Sequence, residues 1–160
     1  MGLASILSLL LLGWYACGET FVYQEKVVLP EEGWTYPDSV TFSFPISDTI
    51  SIYDLVLEVE HHPDFAWQNM YVKIHTDFPG GKRLSEKVSL QLMDPEKATW
   101  YGKCRGDRCK VELSLQRNTY FQETGEYTLT LQQFMRTSPL EGVHSIGLAI
   151  QKVNPEPGVE

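Results

Sequence analysis

Basic residues are scarce in this sequence. It contains 13 Lys and Arg against 21 Asp and Glu, which gives a formal net charge of -8 at pH 7. A surface with this excess of acidic groups repels phosphate backbones and anionic membranes. The composition therefore argues against a nucleic-acid-binding function.

The short motifs that carry catalysis are also missing. The sequence contains no GxSxG nucleophile elbow, no HExxH pair and no glycine loop that would cradle a phosphate. Paired acids such as Glu58 and Glu60 are common on solvated strands, so they do not indicate a hydrolase. We therefore expect a protein that is not an enzyme and that needs neither a catalytic residue nor a cofactor.

Charge is absent from the N-terminal segment. Residues 1–16 form an apolar run without a charged side chain, and Cys17 directly follows the small residue Ala16. The run is shorter than the roughly 20 residues that a membrane-spanning helix needs, so it is typical of a cleaved export signal. We predict a lipoprotein signal peptide over 1–16 and lipidation of Cys17, although Trp14 departs from the usual lipobox. A simple signal peptide, with Cys17 merely near the cleavage site, is the alternative.

The residues that follow the signal bear on location. Residues 17–20 form the predicted lipidated N-terminus. Gly18 is not the Asp that retains bacterial lipoproteins in the inner membrane, and no charged cluster of Lys with Asp or Glu follows Cys17 to direct the protein to the cell surface. We expect a lipid-anchored protein of the bacterial cell envelope, in the outer membrane and facing the periplasm.

Beyond the signal, helical periodicity is lacking. Apolar residues alternate with polar ones in short runs, and turn residues such as Pro37-Asp38-Ser39 and Pro79-Gly80-Gly81 separate the runs. Pro45 places its strand at a sheet edge or near a strand end. The predicted strands run from Phe21 to Val28, Val40 to Ile46, Tyr53 to Val59, Met70 to Thr76, Val88 to Leu92, Val111 to Leu115, Tyr127 to Leu131 and Ile146 to Ile150.

This pattern predicts one all-β domain over residues 21–153. About eight short antiparallel strands with such turns are typical of a β-sandwich of the jelly-roll kind. Residues 154–160 carry two prolines and two glutamates, and we expect them to form a flexible tail.

Besides Cys17, two cysteines remain, and they lie close together. Cys104 and Cys109 bracket four residues, and thiols of exported proteins oxidise, so we predict a disulfide that fixes a hairpin turn. A metal pair is the alternative, but two cysteines without a second pair are a weak zinc signal.

Two further groups of residues could bind ligands. His61, His62 and Asp64 offer metal-ligating atoms, but neighbouring residues of a strand point to opposite faces, so we predict no metal site. Large aromatic residues could form a platform for sugar rings or fill the core between two sheets. They are Trp34, Tyr36, Trp67, Tyr71, Trp100 and Tyr101.

Taken together, segments along the chain resemble the gliding-motility lipoproteins of the GldH family. No single segment is a chemical motif, so the specificity comes from the order and extent of the matches over nearly the whole chain after Cys17. The matching segments include Val22-Tyr23-Gln24-Glu25, Phe42-Ser43-Phe44, Gln68-Asn69-Met70-Tyr71-Val72-Lys73-Ile74, Phe78-Pro79-Gly80-Gly81-Lys82 and Gln132-Gln133-Phe134-Met135-Arg136.

The resemblance implies a non-enzymatic envelope lipoprotein that serves gliding motility, type IX protein secretion or both. Its partners would be the bilayer, through acylated Cys17, and other envelope proteins of that machinery. A glycan- or peptidoglycan-binding lipoprotein is the alternative function. From the polar and aromatic residues in predicted loops we expect one partner surface. Its predicted members are Asp64, Trp67, Gln68 and Asn69, together with the turn from Phe78 to Lys82.

Overall fold

The computed structural model describes residues 20–153, and this part of the chain is built from strands and loops. The predicted signal peptide, the lipidation site at Cys17 and the predicted tail at 154–160 lie outside the described residues. Within 20–153, no helix is long and apolar enough to span a bilayer. The strands are β1 (Thr20–Val28), β2 (Val40–Ile46), β3 (Ile52–His61), β4 (Asn69–Asp77), β5 (Arg83–Gln91), β6 (Met93–Asp94), β7 (Thr99–Trp100), β8 (Lys103–Arg105), β9 (Arg108–Thr119), β10 (Gly125–Gln133) and β11 (Val143–Val153).

Two antiparallel sheets form a sandwich. One sheet has five strands in the order β1-β11-β3-β9-β8, and the other has four in the order β2-β10-β4-β5. Strands β6 and β7 form a separate two-stranded ribbon. Without the short strands β6 to β8, the chain crosses between the two sheets at every step except the β4–β5 hairpin. This is the strand order of a jelly roll.

The predicted all-β sandwich is confirmed. The eight predicted strands correspond to β1 to β5 and β9 to β11, with ends that differ by a few residues. Strand β2, which contains Pro45, lies at the edge of its sheet as predicted. The prediction missed β6, β7 and β8 because two or three residues are too few to show an alternating pattern.

Alternation of apolar and polar residues builds the core between the sheets. In β2, Val40, Phe42, Phe44 and Ile46 are buried while their neighbours are exposed. The ring of Phe44 stacks on that of Tyr127 from β10, with centroids 5.9 Å apart. Burying such large aromatic side chains supplies much of the hydrophobic driving force for packing the two sheets.

The strand register defines two ends of the sandwich. A row of paired residues, Thr20, Lys152, Tyr53 and Thr119, crosses the five-stranded sheet at the start of β1. We call this the near end, and it also carries the loops at 47–51, 78–82 and 120–124. The far end carries the segments at 29–39, 62–68, 92–107 and 134–142. Ten-residue β3 connects the two ends and spans roughly 30 Å.

Candidate partner-binding surface

Four aromatic side chains gather at the far end, on the outer face of the four-stranded sheet. Tyr71 lies on β4 and points away from the core, because its neighbours in the strand point inward. Trp67 precedes β4, Phe134 follows β10, and Tyr36 comes from the segment between β1 and β2. Each is 44% to 49% exposed, and all four line one concavity. We call these four residues the aromatic patch.

Buried Trp34 fixes the position of Tyr36. The backbone N of Trp34 donates to Leu140 O at 3.0 Å, and Leu140 N donates to Trp34 O at 2.8 Å. The indole Nε1 of Trp34 also donates to the carbonyl O of Asp38. The Tyr36 hydroxyl donates to Met135 O at 3.0 Å. The indole bond stiffens the β1–β2 segment, and the other three bonds join it to the β10–β11 segment while the ring of Tyr36 stays exposed.

A buried glutamine shapes the segment that carries Phe134. The Gln133 Nε2 donates to Thr137 O at 3.0 Å and to Trp34 O at 3.3 Å, while its Oε1 accepts from Met135 N at 2.9 Å. A buried amide with three partners stabilises one loop conformation, because breaking it would leave polar groups unsatisfied. Phe134 is therefore held in place by its neighbours and not by its own burial.

The segment after β10 also contacts strands β4 and β5 at the patch. Phe134 N donates to Tyr71 O at 2.8 Å, and Tyr71 N donates to the thioether sulfur of Met135 at 3.2 Å. The ammonium of Lys87 lies 4.3 Å from the centre of the Phe134 ring, within the range of a cation–π interaction. The patch therefore combines apolar rings with basic side chains, since Lys73, Lys87 and Arg136 line the same concavity.

The shape of the patch limits what it can bind. The patch lines an open concavity of about 1290 Å³, with Asn69, Lys73 and Gln132 among the polar residues at its border. Pockets for small molecules usually measure about 300 to 1,000 Å³ and enclose most of the ligand. A wide, open surface of aromatic residues and methionine with a polar border is typical of contact with a macromolecule.

The first half of the predicted partner surface lies at this end. Trp67 and Asn69 line the concavity, and the Asn69 Nδ2 donates to Ser89 Oγ at 2.8 Å. The side chain of Gln68 is exposed, and its carbonyl O accepts from the backbone nitrogens at the start of β6. Asp64 is exposed in the same β3–β4 loop.

The second half of the predicted surface lies elsewhere. The turn from Phe78 to Lys82 follows the last residue of β4, whereas Asn69 is the first residue of that strand. Nine residues of strand separate them by roughly 30 Å. Phe78 is half-buried and packs edge-on against Tyr127, with ring centres 5.7 Å apart. The structure therefore does not bring the two predicted halves together.

The other aromatic candidates have different positions. Trp34 is fully buried, and half-buried Trp100 donates from Nε1 to Pro63 O at 3.1 Å. Both are part of the core and its border. Tyr101 is exposed but does not line the concavity.

His61 is a core residue. It is fully buried, its ring lies 4.3 Å from that of Trp100, and its Nδ1 bonds to the carbonyl O of His62 at 2.8 Å. Burial lowers the pKa of His61, which favours the neutral ring. His62 is partly exposed, with Nδ1 3.7 Å from Asp64 Oδ2. Among residues 20–153, no group of three or more His, Cys, Asp or Glu side chains is placed to hold a metal ion.

The two cysteines after the signal lie opposite each other in a hairpin. Cys104 on β8 pairs in register with Cys109 on β9, and the structure joins their sulfur atoms in a disulfide. Cys109 is buried, whereas Cys104 is exposed. The bond closes the β8–β9 hairpin at the far end.

Sequence reasoning did not identify Phe134, Met135 and Lys87 as members of a site. A signal for Phe134 was available in the strand pattern. Every second residue of β10 points inward, namely Tyr127, Leu129, Leu131 and Gln133. The side chain of the next residue, Phe134, is therefore expected to point outward. An aromatic residue at this position predicts an exposed ring, and exposed rings that cluster into one patch mark an interaction site.

The fold and the patch together define a class, that of jelly-roll β-sandwich proteins with an exposed aromatic surface at one end. The model of the GldH lipoprotein family matches residues 21–150, and the chain belongs to that family. The family resemblance seen in the sequence is thereby confirmed.

Two relatives illustrate the similarity. The gliding motility lipoprotein GldH homolog of Christiangramia forsetii is 28% identical over 144 residues, which cover 86% of this chain and 87% of the relative. The gliding motility lipoprotein GldH of Flavobacterium johnsoniae is 22% identical over 145 residues, which cover 86% of this chain and 89% of the relative. The similarity thus extends over nearly the full length of both relatives.

Solved structures resemble the chain only distantly. A carbohydrate-binding module specific for non-crystalline cellulose aligns with 81% of this chain and 73% of its own, with a TM-score of 0.44 and 10% identity. A likeness at this level carries no information about the ligand of this chain.

Proposed function

We propose that this protein is a lipid-anchored, non-enzymatic lipoprotein of the bacterial envelope that serves gliding motility, type IX protein secretion or both. Its signal peptide is residues 1–16, acylated Cys17 begins the anchoring segment 17–20, the sandwich spans 21–153, and 154–160 form a flexible tail. The anchor lies in the outer membrane, and the domain faces the periplasm. Membership of a gliding-motility lipoprotein family supports this assignment.

We further propose that the aromatic patch binds another protein of that machinery. The observation that carries the proposal is the exposure of four aromatic side chains on one braced surface. Tyr, Trp and Phe are enriched in protein interfaces and dominate their binding energy. Asp64 and Gln68 lie in the same β3–β4 loop as Trp67, whereas Phe78 and Lys82 belong to a separate surface at the near end. Because the bonds of Trp34 and Gln133 fix the loops beforehand, binding orders few additional groups and loses little conformational entropy.

A glycan or peptidoglycan strand is the second candidate ligand. Tyr36, Trp67 and Tyr71 lie on one face, and aromatic rings exposed in this way can stack on sugars. The presence of Phe134 and Met135 favours a protein ligand, because aromatic residues and methionine are enriched in protein interfaces. A pull-down with insoluble peptidoglycan distinguishes the two: retention that is lost in Trp67→Ala would favour the glycan.

Crosslinking in the native envelope tests the proposed function. The tagged lipoprotein is crosslinked and purified, and mass spectrometry identifies its partners and the mass of the peptide that begins with Cys17. We expect components of the gliding or secretion machinery and an acylated Cys17. Recovery of neither would contradict the proposal, and an unmodified Cys17 would remove the anchor from it.

A further inference from the structure

The near end exposes apolar side chains of its own. Ile50, in the β2–β3 loop, is 88% exposed, and Tyr120, in the β9–β10 loop, is 58% exposed. These loops are neighbours because Tyr53 at the start of β3 pairs with Thr119 at the end of β9. Three further exposed apolar residues lie near this end, namely Phe21, Val22 and Leu84.

The loop that carries Ile50 has a fixed conformation. One carboxylate oxygen of Asp48 accepts from Ile50 N at 2.8 Å and from Ser51 N at 3.2 Å. The other oxygen accepts from Ser51 Oγ at 2.6 Å and lies 2.7 Å from the ammonium of Lys152. Both carboxylate oxygens of Asp48 are thus bonded to groups of the loop or to Lys152. The side chain of Ile50 is therefore held out into solvent by a defined structure.

Tyr120 is supported in a similar way. The next residue, Phe121, is buried, and its ring lies edge-on to that of Tyr53 with centres 5.1 Å apart. The hydroxyl of Tyr53 donates to Asp48 O at 2.8 Å and thus connects the supports of the two loops. Ile50 and Tyr120 therefore project from one rigid base.

The position of the proposed anchor brings this end to the membrane. Cys17 precedes Thr20 by three residues, so their Cα atoms can be at most about 11 Å apart. Thr20 lies in the same row as Tyr53 and Thr119. If Cys17 carries the lipid, as the proposed function states, the near end lies within a short distance of the headgroups.

Positive and negative charges at this end are balanced. Lys152 pairs with Asp48, and Arg83 pairs with Asp77 at 2.6 Å. The neighbouring loops at 78–82 and 120–124 add one charge of each sign, Lys82 and Glu123. Such a surface neither attracts nor repels an anionic bilayer strongly, so contact would rest on apolar and aromatic side chains. Tyrosine is enriched at the membrane–water interface because its ring is apolar and its hydroxyl is polar. The chemistry of the near end therefore fits the interfacial region of a bilayer.

We propose that the sandwich stands end-on on its membrane, with Ile50 and Tyr120 seated among the lipid headgroups. The lipid anchor then acts together with a docking surface, since a short acylated segment and inserted apolar side chains reinforce each other. The aromatic patch is held roughly 30 Å from the bilayer, the length of the sandwich. The domain thus presents its far end to partners at a fixed height.

Spin labels measure this orientation directly. The full lipidated chain carries single substitutions Ile50→Cys or Tyr120→Cys, and the matched control is Val28→Cys, which replaces an apolar residue 73% exposed at the far end of β1. Each variant is labelled with a nitroxide in vesicles of zwitterionic phosphatidylcholine. The accessibility of the label to oxygen is divided by its accessibility to a water-soluble nickel complex. This ratio rises as the label lies deeper in the bilayer. We expect a several-fold higher ratio at positions 50 and 120 than at 28.

Every other pattern overturns the proposal. Equal, water-like ratios at all three positions would mean that the domain floats on its tether, although the protein still co-floats with the vesicles. A high ratio at position 28 with a low ratio at 50 would mean that the β1 edge lies on the membrane. If the protein does not co-float at all, the lipid anchor itself is wrong and the docking surface falls with it.

Discussion

The two ends of the sandwich both expose apolar side chains, but they do so in different ways. At the far end, four aromatic rings from different segments line one open concavity. At the near end, Ile50 and Tyr120 protrude separately from adjacent loop tips. A concavity complements a second macromolecule, whereas protruding tips enter a soft layer such as a lipid interface. Both surfaces are rich in apolar residues, so composition alone does not distinguish them. Their shapes and their distances from the start of β1 do.

The supports of the two ends also differ. The far end is braced by buried groups, Trp34 and Gln133, which bond to the backbone of the loops. The near end is braced by a partly exposed carboxylate, Asp48, and its salt bridge to Lys152. Buried groups contribute more stability than exposed ion pairs do. Disturbing each support should therefore have effects of different size.

The largest effect is expected for the support of the far end. Trp34→Ala removes a fully buried indole and should lower the free energy of unfolding by about 3–5 kcal/mol. Thermal unfolding followed by circular dichroism measures the loss. Trp67→Ala is the matched control, because the same residue type there is exposed and its removal should change stability by at most about 0.5 kcal/mol. Equal losses in the two variants would contradict the assignment of Trp34 to the scaffold.

The next effect concerns binding and not folding. The double variant Trp67→Ala with Tyr71→Ala should weaken partner capture by about 2 kcal/mol or more, which is roughly 30-fold. The amount of partner recovered after crosslinking in the native envelope gives the readout. Tyr120→Ala is the control at the near end, and its recovery should equal that of the wild type. Loss of capture in the control alone would reverse the roles of the two ends.

A smaller effect is expected for the hairpin at the far end. Replacing Cys104 and Cys109 together by serine opens a small loop, and by chain entropy this should destabilise the fold by about 2 kcal/mol. The aromatic patch does not contain the hairpin, so partner capture should persist. Chemical denaturation with and without reductant measures the change, and an unaltered midpoint would show that the bond does not contribute to stability.

The smallest effect belongs to the support of the near end and depends on pH. The ammonium of Lys152, together with hydrogen bonds from Ser51 and Ile50, holds the pKa of Asp48 well below its usual range. A carboxylate with a lowered folded-state pKa contributes stability above its unfolded pKa of about 3.9, and the contribution is lost as pH falls through the folded-state pKa. The difference in Tm between wild type and Asp48→Asn should therefore be present at neutral pH and shrink in acid. A difference that grows in acid would contradict this sign.

The sequence predicted the architecture well because one physical signal runs through it. A period of two in hydrophobicity, as in Val40, Phe42 and Phe44, marks each main strand and its inward face. The same signal is absent from strands of two or three residues, which depend on neighbouring segments for their pairing. Prediction of β6 to β8 therefore required the tertiary structure.

The candidate site was predicted only in part because it depends on register. Asn69 begins β4 and Phe78 directly follows it, so their closeness in sequence led us to predict one surface. An extended strand holds its two ends far apart. Trp67 instead shares its surface with Tyr36 and Phe134, which are distant from it in the chain. Such groupings follow from strand order across a sheet, and single-sequence patterns do not determine that order.

Site-specific photocrosslinking in living cells can show whether the far end contacts protein and the near end contacts lipid. A benzophenone amino acid replaces Tyr71 in one variant and Tyr120 in the other, so that the same residue type is exchanged at each end. We expect protein adducts at position 71 and none at position 120. Protein adducts at 120 with none at 71 would contradict this expectation.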